Sequence, residues 1–108
     1  MLLQKIESIF KRKRCYCDFQ VNKKHLENLI KEGAVLVDVR STQEYEEDHL
    51  ENTISIPYYD IKKKAKYLLK NKDKEIIVYC NTGHRSKKAQ KELKQMGYKY
   101  VYNLCDIK

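Results

Sequence analysis

Two apolar runs, Val35-Leu36-Val37-Asp38-Val39 and Glu75-Ile76-Ile77-Val78-Tyr79-Cys80, constrain the fold more than any other feature of this sequence. Each reads as a buried strand. Helical patterns stand between and around them. Asn22 is a plausible N-cap, with Val21 and Leu26 placed as a hydrophobic staple. The helix it opens runs to about Glu32, turns Leu26, Leu29 and Ile30 inward, and stops at Gly33. Ser41-Thr42-Gln43-Glu44 forms a capping box that starts a short helix reaching about His49. Thr53-Ile54-Ser55-Ile56 alternates and ends at Pro57, as a short strand does. Ile61, Ala65, Leu68 and Leu69 fit a helix from about Asp60 to Lys70. Ala89, Leu93 and Met96 mark another from about Ser86 to Met96, closed by Gly97, and Tyr100-Val101-Tyr102-Asn103 forms a last short strand. Strands separated by helices predict an α/β domain with a mainly parallel central sheet and helices on both faces. Ligands in such folds bind beyond the carboxyl ends of the strands. That rule points to Asp38-Val39-Arg40 and, above all, to Cys80.

The 108 residues suffice for one domain and leave little for a second core. Charged residues make up 35% of the chain and no apolar run reaches the ~18 residues of a membrane span, so a transmembrane protein is excluded. Ahead of the domain at 19–108, residues 1–18 form a basic amphipathic segment. Leu2, Leu3, Ile6, Ile9 and Phe10 lie on one helical stripe, and Lys11-Arg12-Lys13-Arg14 follow. Docking of this stripe on protein is preferred over contact of residues 1–14 with an anionic membrane surface. Residues 1–14 carry five basic side chains against one acid, half of the net charge of +8. Of the 23 basic residues 19 are lysine, a skew that weighs against nucleic acid as a partner, because bidentate reading of bases and phosphates favours arginine.

The cysteines stand at 15, 17, 80 and 105. Gln4, Lys5 and Glu7 interrupt the leading apolar residues and the basic run follows them, an order unlike that of a secretory signal. A cytoplasmic location is therefore expected, where cysteines are usually reduced, metal-bound or catalytic. No metal or other cofactor is expected: Cys15-Tyr16-Cys17 has a one-residue gap, and no C-x-x-C or histidine pair complements it. Cys15 and Cys17 read as unreactive thiols. Cys105 reads the same way, with a resolving role toward Cys80 as the alternative.

Cys80-Asn81-Thr82-Gly83-His84-Arg85-Ser86 joins a buried strand to a helix. The loop must curl tightly, and Gly83 is available for a positive φ. Such a curl at a helix start aims successive backbone N–H groups at one centre, an anion-binding nest. Cys80 lies at its rim. A thiol of pKa ~8.5 is only a few per cent ionised at neutral pH, and lowering its pKa by about two units takes roughly 2.7 kcal/mol. A helix N-terminus contributes up to about 2 kcal/mol, and charge-assisted amide contacts about 1.5–3 kcal/mol each, so the loop can activate Cys80 without a dedicated base. Cysteine phosphatases carry C-x5-R, whereas Cys80 and Arg85 stand in C-x4-R, a smaller cup that suits a single anionic sulfur carried on the cysteine.

The joint pattern resembles the rhodanese-like domain family from about residue 19 to 105. The residues that carry the resemblance are Val37-Asp38-Val39-Arg40, Glu44-Tyr45, Asp48-His49-Leu50, Ile54-Ser55-Ile56-Pro57, Ile77 to Ser86, Met96-Gly97-Tyr98 and Val101-Tyr102-Asn103-Leu104. The resemblance implies a sulfurtransferase that moves a sulfane sulfur from a donor such as thiosulfate to a thiol or cyanide acceptor. Cys80 would carry the sulfur as a persulfide, with Asn81, Thr82, Gly83, His84, Arg85 and Ser86 as its cradle. The implied partners are a small anionic donor and a thiol acceptor, including a protein thiol. Asp38 and Arg40 would brace the site, Arg40 pairing with an acid such as Glu44 or Asp38, and His49 would be a structural hydrogen-bonding residue. The sequence departs from the family at Asp48 and Glu51-Asn52-Thr53, where small residues are usual. It departs again at Cys105-Asp106-Ile107-Lys108, which replaces a Gly-Gly turn and closing helix. The competing readings are a non-catalytic binding or sulfur-delivery module, and a cysteine-dependent phosphatase or arsenate reductase.

Overall fold

The computed structural model describes residues 19–81 and 83–107, and the side chains of 22–81 and 83–104. The segment 1–18 with Cys15 and Cys17, Thr82, and the side chains of Val21 and Cys105 lie outside what it describes.

Asn22 caps the first helix by accepting the N–H of His25 at 2.7 Å, and α1 spans Lys23–Lys31. It follows β1, Phe19–Val21. β2 (Val35–Asp38) leads to the capping box, in which Ser41 Oγ accepts from Glu44 N and the Glu44 carboxylate accepts from Ser41 N, and to α2, Thr42–Glu47. β3 (Thr53–Ser55), one turn of 3-10 helix (Tyr58–Asp60) and α3 (Ile61–Leu68) come next. β4 (Glu75–Tyr79), α4 (His84–Gln95) and β5 (Tyr100–Ile107) complete the order. The strands lie in the order β1-β5-β4-β2-β3 with every pairing parallel.

The side-chain period of a strand divides the core in two. Val37, Val39, Ile76, Val78 and Val101 face α3 and α4, where Ile61, Ala65, Ala89 and Leu93 meet them. Leu36, Ile77, Tyr79 and Leu104 face the other way, onto Leu26 and Leu29 of α1. Helices therefore cover both faces of a parallel sheet, the α/β architecture read from the sequence.

Three local readings change. Leu68 is not inward but 48% exposed, because α3 ends there and Leu69, leaving the helix with ψ 76°, takes the core position. The Tyr98 hydroxyl fixes that exit by donating to the Ala65 and Leu69 carbonyls. α4 begins at His84, two residues before Ser86. β5 runs to Ile107 instead of ending at Asn103, because β1 pairs with its second half, Phe19 opposite Leu104 and Val21 opposite Ile107. Among the described residues, no helix is long and apolar enough to cross a membrane.

Candidate active site

All strands run one way, so β2, β4 and β5 end at the same edge of the sheet, and the helices that follow β2 and β4 start there. β4 stops at Tyr79, and the residues from Cys80 to Gly83 turn the chain into α4. Gly83 adopts φ 89°, a left-handed conformation that costs an L side chain about 1–2 kcal/mol. Its carbonyl is held by Lys87 N at 3.0 Å and by the buried Asn103 Nδ2 at 3.2 Å. The Gly83 N–H points back at Cys80 and donates to Sγ at 3.1 Å. Ser86 N donates to the same sulfur at 3.4 Å, and Ser86 Oγ lies 3.3 Å from it. The sulfur thus sits before the first turn of α4 with backbone donors aimed at it, a setting that favours a negative charge. Cys80 is 5% exposed and Ser86 is fully buried, beneath the side chains at the rim of the loop.

That rim is polar. Arg85 makes a two-pronged pair with Glu44, Nη1 to Oε1 at 2.6 Å and Nη2 to Oε2 at 3.1 Å. Asn81, which is exposed, donates to Glu44 Oε2 at 3.4 Å. The Arg85 guanidinium, and after it the Ser41 N–H, draw the Glu44 carboxyl down to about 2. Glu44 in turn raises Arg85 through the same paired hydrogen bonds. His84 is exposed at the first position of α4.

Behind the rim lies a second arginine pair. Asp38 is fully buried at the end of β2. It accepts from Arg40 N at 2.9 Å, from Arg40 Nε and Nη2, and from the Tyr79 hydroxyl at 2.7 Å. Arg40 Nη2 also donates to the Asp48 carbonyl at 2.6 Å, tying down the end of α2. Asp38 raises Arg40, while burial and then Asp38 raise the Tyr79 hydroxyl. His49 stacks on Tyr45 at 3.8 Å, with Nδ1 2.7 Å from the Tyr45 carbonyl. Of the two acids offered to Arg40 from the sequence, the structure uses Asp38. Glu44 serves Arg85, Asn81 and the capping box instead.

The residues Cys80, Asn81, Gly83, Arg85, Ser86 and Glu44 therefore converge, with Asp38 and Arg40 one layer behind, while the contacts of His49 are with Tyr45 and not with this group. Sequence reasoning passed over Asn103 and Tyr79. Asn103 carried a signal, since it is a polar residue inside the apolar run Val101 to Leu104, and a buried amide needs a reason to be there.

With this geometry in view, the span matched by a known family takes in every residue of the site. The family described as Rhodanese-like domain matches residues 22–105. The chain belongs to the rhodanese-like family. It is 33% identical over 72 residues to thiosulfate sulfurtransferase PspE of Escherichia coli, covering 67% of this chain and 69% of the relative. It is 38% identical over 74 residues to the tRNA uridine(34) hydroxylase of Photorhabdus laumondii, where the match covers 65% of this chain and 21% of that much longer protein. Among solved structures, a rhodanese with anions from E. coli aligns with a TM-score of 0.63 at 32% identity, covering 68% of this chain and 86% of that one.

Proposed function

We propose that this rhodanese-like protein is a sulfurtransferase that carries a sulfane sulfur as a persulfide on Cys80. The observation that carries the reading is the convergence of Gly83 N, Ser86 N and the Ser86 hydroxyl on the Cys80 sulfur at the start of α4. The similarity to PspE, a thiosulfate sulfurtransferase, supports it.

The chemistry uses two displacements. In the first, the Cys80 thiolate attacks the outer sulfur of a donor such as thiosulfate. The S–S bond breaks, and sulfite leaves with the bonding pair. In the second, an acceptor thiolate or cyanide attacks the outer persulfide sulfur, and Cys80 leaves as the thiolate. Each step ends with an anion on or next to Cys80, so the same donors stabilise the resting thiolate, the persulfide and the leaving group. Asn81, Thr82, Gly83, His84, Arg85 and Ser86 form the cradle. The Glu44 carboxylate anchors Arg85 and Asn81 at the rim. Asp38 and Arg40 hold the strand ends from which the loop springs.

Mass spectrometry after thiosulfate treatment checks this directly. The peptide containing Cys80 is expected to gain one sulfur, removable by cyanide or by a thiol, and Cys80→Ala is expected to gain none there. Absence of that adduct, or an equal adduct in Cys80→Ala, defeats the proposal. A pH titration of alkylation adds a second measure, with a midpoint expected below the ~8.5 of an ordinary cysteine.

A further inference from the structure

The charge of the described residues is segregated along the chain. Residues 22–53, which supply α1, β2, α2 and β3, hold eight acids against four basic residues. Residues 58–99, which supply the 3-10 turn, α3, β4 and α4, hold thirteen basic residues against four acids, and twelve of the thirteen are lysines. α3 and α4 pack side by side on one face of the sheet, so the lysines at 62–66 and 87–94 stand on adjacent helices.

The N-terminal turn of a helix favours acids, yet neither α3 nor α4 has an acid in its first turn, and only α3 has one at its N-cap, Asp60, which pairs with Lys64 at 3.4 Å. Lys62, Lys63 and Lys64 occupy the first turn of α3, and Lys87 and Lys88 follow His84 and Arg85 in α4. Both helices run back from the carboxyl edge of the sheet, the edge that also carries the Cys80 loop. At the start of α4, His84 and Arg85 stand where an acid would favour the helix, a local choice that serves something other than folding. The exposed large apolar side chains of the described residues, Tyr59, Tyr67 and Leu68, all lie on this same stretch. Tyr59 stands in the 3-10 turn that packs against both helices, and Tyr67 lies eight residues further on, at the far end of α3. The patch is thus about one short helix long, ~12 Å, larger than any small anion.

We infer that this lysine and tyrosine face docks the acceptor, and that the acceptor is an acidic protein presenting a cysteine thiol. The inference rests on the proposed sulfur transfer and names its partner. Cys80 is 5% exposed, and a docked protein holds its thiol in a fixed orientation for attack, which raises the rate above that of a random collision. Exposed aromatics serve as anchors, and a ring of like charge steers a partner of opposite sign. Arg85, the face's single arginine, is engaged with Glu44, so the surface lacks the planar forks that suit phosphate and base recognition.

The test uses the full chain and a cysteine peptide rich in Asp and Glu as acceptor. A Lys-rich cysteine peptide and neutral 2-mercaptoethanol serve as controls. After loading with thiosulfate, kcat/KM for the acidic peptide is expected to exceed that for the basic one by about tenfold or more, and to fall steeply from 50 to 300 mM salt. The double variant Lys62→Glu/Lys87→Glu is expected to remove this preference, and Tyr59→Ala to weaken it about fivefold, with transfer to 2-mercaptoethanol as the common reference. Fluorescence anisotropy of the labelled acidic peptide on Cys80→Ala reads docking without sulfur transfer. Docking of that peptide alongside no transfer in the unmodified protein would fault the sulfurtransferase reading alone. Equal rates for acidic and basic peptides at every salt concentration would overturn the docking inference. So would tighter binding of an RNA of equal charge, or occupation of the face by a second copy, seen as concentration-dependent assembly abolished by the double variant.

Discussion

Two arginine–carboxylate pairs stand a few residues from each other at the carboxyl edge of the sheet, and they do different work. In the inner pair, Asp38 is fully buried and Arg40 nearly so. Every donor around Asp38 is spoken for: the Arg40 backbone and guanidinium, and the Tyr79 hydroxyl. In the outer pair, Arg85 and Glu44 are each about one-third exposed and share their hydrogen bonds with Asn81 and the N-cap of α2. The inner pair welds the ends of β2 and β4 together. The outer pair spans the rim between two helices, where water screens it. The same two functional groups become a buried brace or a solvent-screened link according to the depth at which they lie.

Removing one member of each pair separates these roles. Asp38→Ala leaves the Arg40 charge and the Tyr79 hydroxyl without their buried partner. It is expected to cost about 3–5 kcal/mol, read as a lowered midpoint in urea or heat unfolding. A loss below about 1 kcal/mol would show that the inner pair is no brace. Arg85→Ala is expected to cost only about 0–1 kcal/mol of stability, and to reduce sulfur loading from thiosulfate well beyond what that loss explains. Unchanged loading would remove Arg85 from the cradle.

The smallest effect belongs to pH. Glu44 titrates near 2 in the folded protein against an ordinary 4.5, so its stabilising contribution is complete above 4.5 and fades as pH falls toward 2. The stability difference between the unaltered protein and Glu44→Gln is therefore expected to be greatest above pH 5 and to vanish near pH 2. A difference that stays constant through that window would mean that Arg85 does not hold the carboxylate.

The sequence was most legible where structure is set by neighbours along the chain. Asn22 and the Ser41–Glu44 box cap helices within three residues of themselves, and both caps form. The turn at Gly83 is a matter of one φ angle. Legibility failed where distant residues compete. The sequence offers Arg40 both Asp38 and Glu44 without choosing between them; the fold gives it the deeper Asp38 and brings Arg85 to Glu44 from 41 residues away. β1 is three residues long and owes its existence to β5, so no local pattern announces it, and β5 was read short for the same reason. Leu68 fits the apolar stripe of α3, but the helix unwinds one residue later and Leu69 fills the core in its place. Asn103 supports the loop through a contact spanning 20 residues, visible in advance only as a misplaced amide.

The pairing of β1 with β5 has one more consequence. The strand that brings the polypeptide into the sheet lies beside the strand that takes it out, and Phe19 and Ile107 are separated by three register positions, roughly 10 Å at ~3.3 Å per residue. A unit whose way in and way out are neighbours can be spliced into a loop of a larger host without forcing the host's own ends apart.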